Sequence, residues 1–119
     1  MKKFKSLLFI VCLHIMSFSL VYAQANKPLR TGIYACVSSN LTMELRSNRT
    51  MSVYIGKQKM SGDWATGTYR ISEDNKRITL TFNRANGGLI SLNGMTLSYA
   101  IYDNESFFNS QEEWMFIGN

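Results

Sequence analysis

From residue 32 onward, apolar and polar side chains take turns along the chain. Leu41, Met43 and Leu45 alternate with Thr42, Glu44 and Arg46, and Met51, Val53 and Ile55 with Ser52, Tyr54 and Gly56. Ile78, Leu80 and Phe82 alternate with Thr79, Thr81 and Asn83, and Met95, Leu97, Tyr99 and Ile101 with Thr96, Ser98, Ala100 and Tyr102. A period of two is the mark of strands with one buried and one wetted face. The pattern predicts strands over 32–37, 41–46, 50–56, 64–72, 77–83, 89–92, 95–102 and 113–118. Turn-forming clusters separate them, among them Ser38-Ser39-Asn40, Glu73-Asp74-Asn75-Lys76, Asp103-Asn104-Glu105 and Asn93-Gly94. Asn-Gly favours a type I′ hairpin, since both central residues there take positive φ.

Short connections make sequence neighbours pair antiparallel, so the expected fold is an all-β, up-and-down meander of about eight short strands. An open meander leaves two unpaired edges, and closing it into a small barrel removes them. The only proline, Pro28, precedes the strands and blunts neither edge. Gly32-Ile33-Tyr34 opening the first strand, Gly67-Thr68-Tyr69-Arg70-Ile71 leading through a polar turn to Ile78-Thr79-Leu80-Thr81-Phe82, Leu97-Ser98-Tyr99-Ala100-Ile101 and the closing Glu113-Trp114 together resemble small secreted bacterial lipocalin-like domains. The resemblance implies a lipocalin-like barrel and an envelope location.

Composition changes the picture chiefly through the first 23 residues. Lys2, Lys3 and Lys5 precede an apolar run to Tyr22, and Val21-Tyr22-Ala23 offers small or apolar residues at a cleavage site. These are the three parts of a secretory leader, with cleavage after Ala23 or Ala25. The run, about 16 residues, falls short of the roughly 20 that span a bilayer. The expected organisation is a signal peptide at 1–23, a polar lead-in at 24–31 and one domain at 32–119, in a chain secreted or held in the periplasm. Removing the leader takes away Cys12, the single histidine His14 and three lysines, so the formal charge falls from +5 to +2. No imidazole then remains for a Ser-His-Asp or Cys-His mechanism, and no His/Cys set for zinc. The residual charge is not the basic stripe that nucleic acid requires. The expectation is a non-enzymatic protein without a cofactor.

Tyr34, Tyr69, Tyr99 and Trp114 fall on the inward phase. They read either as plain core packing or as the wall of an apolar cavity with tyrosine hydroxyls as polar handles. Cys36, alone after cleavage, reads as a core hydrophobe or as half of a disulfide to another chain. The carboxylates sit mostly in turns, and Glu112 and Glu113 are adjacent, so a strand there points them to opposite faces rather than pairing them for catalysis. Lys57 and Lys59 lie on the long loop 56–62 and are candidates for contact with an acidic partner. The leading expectation is an exported barrel that binds a small apolar ligand or an envelope or extracellular protein. The alternative is an inhibitor or immunity-type protein that blocks a hydrolase, a lysozyme or a protease, through this loop. In that loop Ser61-Gly62, followed by Tyr69, resembles lysozyme-inhibitor barrels.

Overall fold

The computed structural model describes residues 27–57 and 62–119. The leader, with Cys12 and His14, and Lys59 of the long loop lie outside the described residues. Eight antiparallel strands form a closed barrel: β1 (Gly32–Cys36), β2 (Leu41–Leu45), β3 (Thr50–Ile55), β4 (Trp64–Ile71), β5 (Arg77–Asn86), β6 (Thr96–Asp103), β7 (Ser106–Phe108) and β8 (Glu113–Gly118). Each strand pairs with its successor, and β8 returns to β1 through Cys36↔Trp114 and Tyr34↔Phe116. The expected up-and-down barrel is the fold.

Most of the inward phase read from the sequence is the core; Met95, read as inward, precedes β6 and is 42% exposed. Tyr34, Met43, Leu45, Met51, Val53, Tyr69, Ile78, Leu80, Phe82, Tyr99 and Trp114 are all buried. In cross-strand register they make rows, such as Tyr34↔Met43↔Val53↔Ala65 and Leu45↔Met51↔Gly67↔Phe82. Gly67 marks the point where the β4–β5 register shifts. A Cβ at this position would lie 1.9 Å from the Thr81 carbonyl oxygen, so the two backbones approach closely only because no side chain stands between them. Cys36 belongs to the same core and is 6% exposed.

Three expectations are corrected. Residues 89–92 are not a strand. They belong to a 3-10 helix, Gly87–Leu92, that follows a longer β5. The Asp63 carboxylate takes the Gly88 N–H at 2.7 Å, which pulls the chain out of the ladder. Leu89 and Leu92 then stand three residues apart and share one side of the helix. Asn93-Gly94 accordingly does not join two strands. Asn93 has φ −57 and ψ 122, Gly94 has φ 78, and Met95 donates to the Leu92 carbonyl at 2.9 Å. This is a type II turn, in which only the second central residue needs positive φ. The eighth strand is instead β7, reached from β6 by the two-residue turn Asn104-Glu105, which the Asp103 carboxylate braces by accepting from Glu105 N and Ser106 Oγ, both at 2.8 Å. Outside the barrel, Tyr54 is only 4% and Thr42 only 6% exposed. Both lie on the phase expected to be wet, and they pair across β2–β3, where the Thr42 hydroxyl donates to the Gly56 carbonyl at 2.6 Å.

β7 has only three residues, yet Phe107 is the centre of the aromatic core. Its ring lies 5.1 Å from Tyr34, 5.3 Å from Tyr99 and 6.2 Å from Trp114. Phe107→Ala is expected to cost about 3–5 kcal/mol, the range for truncating a fully buried aromatic. Phe108→Ala, on the exposed face of the same strand, is expected within about 0.5 kcal/mol of the parent. Urea unfolding followed by tryptophan fluorescence measures both.

Candidate functional site

The two ends of the barrel are closed differently. At the lower end lie the turns at 46–49, 72–76 and 104–105. The segment before β1 crosses this end. Arg30 N donates to the Asn104 carbonyl at 2.8 Å, the Arg30 guanidinium pairs with Glu105 and sits 4.1 Å above the Phe116 ring, and Leu29 is buried against the core. The Tyr34 hydroxyl donates to the Arg30 carbonyl at 2.7 Å, and the Tyr69 hydroxyl to the Arg46 carbonyl at 2.5 Å. Two of the four aromatic candidates are thus spent on tying the lower end to backbone. Tyr69 also lines a surface depression of about 460 Å³ there, with Leu29 and Arg49. Tyr34 packs between Phe107 and Phe116.

The other two candidates meet at the upper end. Tyr99 and Trp114 line a partly open pocket of about 140 Å³, between the upper rows of the barrel and the 3-10 helix. Met43, Val53, Phe82 and Leu97 complete the apolar wall, and Leu89 and Leu92 come down from the helix as its cover. Glu112 is the charged lining residue. Its Oε1 accepts from the Tyr99 hydroxyl at 2.6 Å and from Trp114 Nε1 at 3.4 Å. The loop that carries it is tied back on itself: Asn109 Oδ1 accepts from the N–H groups of Gln111 and Glu112, both at 2.8 Å, while Asn109 N donates to the Glu112 carbonyl at 2.9 Å. The carboxylate is therefore held in place by backbone as well as by its two donors. Glu113, next in sequence, opens β8 and is exposed, while Glu112 precedes the strand; both border the outer depression beside Phe108.

A larger depression, about 490 Å³, lies on the outer surface between Val37, Tyr102, Phe108 and Glu113. The smaller pocket is the better candidate because it brings Tyr99 and Trp114 together with Glu112 under the 3-10 helix, apolar walls with a few convergent polar groups. Lys57 is exposed at the rim of the long loop. Among the described residues no group of three His, Cys, Asp or Glu side chains is placed to hold a metal, and no described helix is long and apolar enough to cross a membrane.

Sequence reasoning placed Tyr99 and Trp114 on the inner face but did not single out Glu112 or the two leucines. The i, i+3 spacing of Leu89 and Leu92 after a Gly-Gly pair was the available signal for a 3-10 cover. Compared with protein-family models, with curated proteins and with solved structures, the chain matches none.

Burial raises the hydroxyl pKa of Tyr34, Tyr69 and Tyr99 above the ordinary value. For Tyr99, the hydrogen bond to Glu112 and its negative charge add to the desolvation; for Tyr34, the charge of Glu105 does so; at Tyr69 the Arg49 charge works the other way. Below about pH 10, folded and unfolded chains both hold these protons, so the tyrosines contribute no pH dependence. Above it the unfolded chain releases them and the folded one does not. Stability is therefore expected to hold steady to about pH 9 and then fall, by up to roughly 1.4 kcal/mol per pH unit for each such tyrosine. Tyr34→Phe should cost about 1 kcal/mol at pH 8 through its lost hydrogen bond and make the alkaline decline shallower. Urea midpoints measured between pH 8 and 11 give both quantities.

Proposed function

We propose that this chain is an exported, non-enzymatic barrel of lipocalin-like type that binds a small apolar ligand in its upper cavity. The observation that carries this reading is the space of about 140 Å³ under the 3-10 cover, with apolar walls and a fixed cluster of Tyr99, Glu112 and Trp114. A volume of about 140 Å³ is near that of a cavity that takes up benzene in another protein, so a single ring or a short branched chain sets the size here. A long acyl chain does not fit this volume. Tyr99 and Trp114 are the proposed ligand contacts, while Tyr34 and Tyr69 keep the far end shut. Export rests on the leader pattern in the sequence, as does a secreted or periplasmic location.

The inhibitor reading depends on the loop 56–62. Residues 58–61, with Lys59, lie outside the described residues, so the cavity is the better-supported basis for a function. A disulfide from Cys36 to a second chain requires the β1–β8 end to open, because the thiol is buried, with Sγ 3.7 Å from Ser38 Oγ.

Titration of the purified protein with toluene, followed by amide chemical shifts or by the Trp114 indole N–H shift, is expected to show one saturable site. A Kd of roughly 0.1–1 mM corresponds to about 4–5.5 kcal/mol, well inside the ceiling for a ligand of this size. Leu89→Trp, which extends the cover into the void, is expected to abolish this site while leaving the near-ultraviolet circular dichroism of a folded core. No saturation in the parent protein, or unchanged saturation in the variant, overturns the reading.

A further inference from the structure

The strongest feature left over is the charge at the rim of the cavity. Glu112 Oε1 already receives two of the polar donors on the pocket wall, the Tyr99 hydroxyl and Trp114 Nε1; the third, the Ser91 hydroxyl, lies on the 3-10 helix. Oε2 receives no hydrogen bond from a described residue. The ion pairs among the described residues are Arg30 with Glu105 and Arg46 with Glu44, and neither involves Glu112. A carboxylate is thus held half-buried beside an apolar pocket, oriented by neutral groups and with no cation paired to it among the described residues. The carboxylate borders both this pocket and the open depression beside Phe108, so a cation held in the pocket can pair with it. The surroundings favour one kind of partner. An ammonium group offers N–H donors to the vacant oxygen and full charge compensation. The faces of Trp114 and Tyr99 add the attraction that aromatic rings exert on cations. A carboxylate or phosphate ligand would instead place two negative charges side by side.

We propose that the cavity selects small amphipathic amines, with the apolar body in the void and a protonated amine on Glu112. This rests on the cavity being a ligand site at all, and deepens that reading by naming the chemical class. The closed loop Asn109–Glu112 matters here, because a carboxylate already fixed by backbone loses little freedom when the ligand arrives. The selectivity is opposite to that of a barrel built for fatty acids.

Three probes of nearly equal shape separate the ideas: toluene, benzylammonium and benzoate, each titrated at pH 7 into the purified protein. Benzylammonium is expected to bind at least tenfold tighter than toluene, the lower bound for a charge-assisted hydrogen bond, and benzoate not to saturate. In Glu112→Gln the ratio of benzylammonium to toluene affinity should fall to near one. Because the first comparison uses the unaltered protein, the test does not depend on how well the variant folds. If toluene binds and benzylammonium binds no tighter, amine selection is overturned and the apolar cavity stands. If neither binds, both fail. If the tenfold advantage survives in Glu112→Gln, Glu112 is not the recognising group and the inference is overturned.

Discussion

The ladder between β8 and β1 is the constraint on which the rest depends. Without the pairing of Cys36 with Trp114 and Tyr34 with Phe116, the meander would keep two open edges and its greasy face would have no inside. With it, every backbone row is paired and the side chains of alternate residues are driven into one shared interior. An interior bounded by eight strands is only just wide enough for side chains to fill. How well it fills is then decided by which residues face one another across it. Four rings are linked on adjoining strands: Phe107 on β7, Trp114 and Phe116 on β8, Tyr34 on β1. Tyr69 and Phe82 enter the core from β4 and β5, where Ala65 and Gly67 on β4 carry little or no side chain.

Closing a barrel sideways leaves its two ends to be sealed by something other than the sheet. At the lower end the sealing is polar. Tyrosine hydroxyls donate to the carbonyls of Arg30 and Arg46, and the strap before β1 is fastened by Arg30 to Glu105. Directed bonds to backbone leave little room for anything else to enter. At the upper end the cover is a short 3-10 helix, anchored by the Asp63 carboxylate on the Gly88 N–H, that lays Leu89 and Leu92 over the apolar pocket. The contact of those leucines with the wall is non-directional, whereas the lower end is tied by directed bonds. The same asymmetry explains why the four inward aromatics do not form one site.

What was legible in the sequence follows from the same physics. Alternation reports which face a residue occupies, and it placed Met43, Val53, Leu80, Phe82 and Tyr99 correctly because a one-residue slip would have put all of them in water. It does not report height along the barrel axis. Tyr34 and Tyr69 therefore looked equivalent to Tyr99 and Trp114, although they serve the other end. It is also silent for elements shorter than its period can show. Ser106-Phe107-Phe108 gives no alternation to read, and the most connected ring in the core was missed with it. The stretch Leu89 to Leu92 failed in the opposite way. Its apolar content matches a buried strand, and only the three-residue spacing, together with the capture of Gly88 by Asp63, separates the two.

Glu112 was hidden for a different reason. In the sequence it is one of two adjacent acids before a strand, a setting in which carboxylates are normally solvated. Its position beside the void depends on the Asn109 side chain folding the loop 109–112 back on itself and on Tyr99 and Trp114 arriving from two different strands to share one oxygen. The contacts with Asn109 and Trp114 are local, but the one with Tyr99 is not. Tyr99 lies 13 residues away in sequence, and the register that brings β6 to within reach runs through β7, the strand the alternation could not show. A polar group at the edge of a small apolar cavity is therefore a product of closure as much as the core is. Had the barrel stayed open, the carboxylate would face water and carry no selectivity. The chemistry proposed for the cavity is inherited from the same β8–β1 ladder that makes an interior exist.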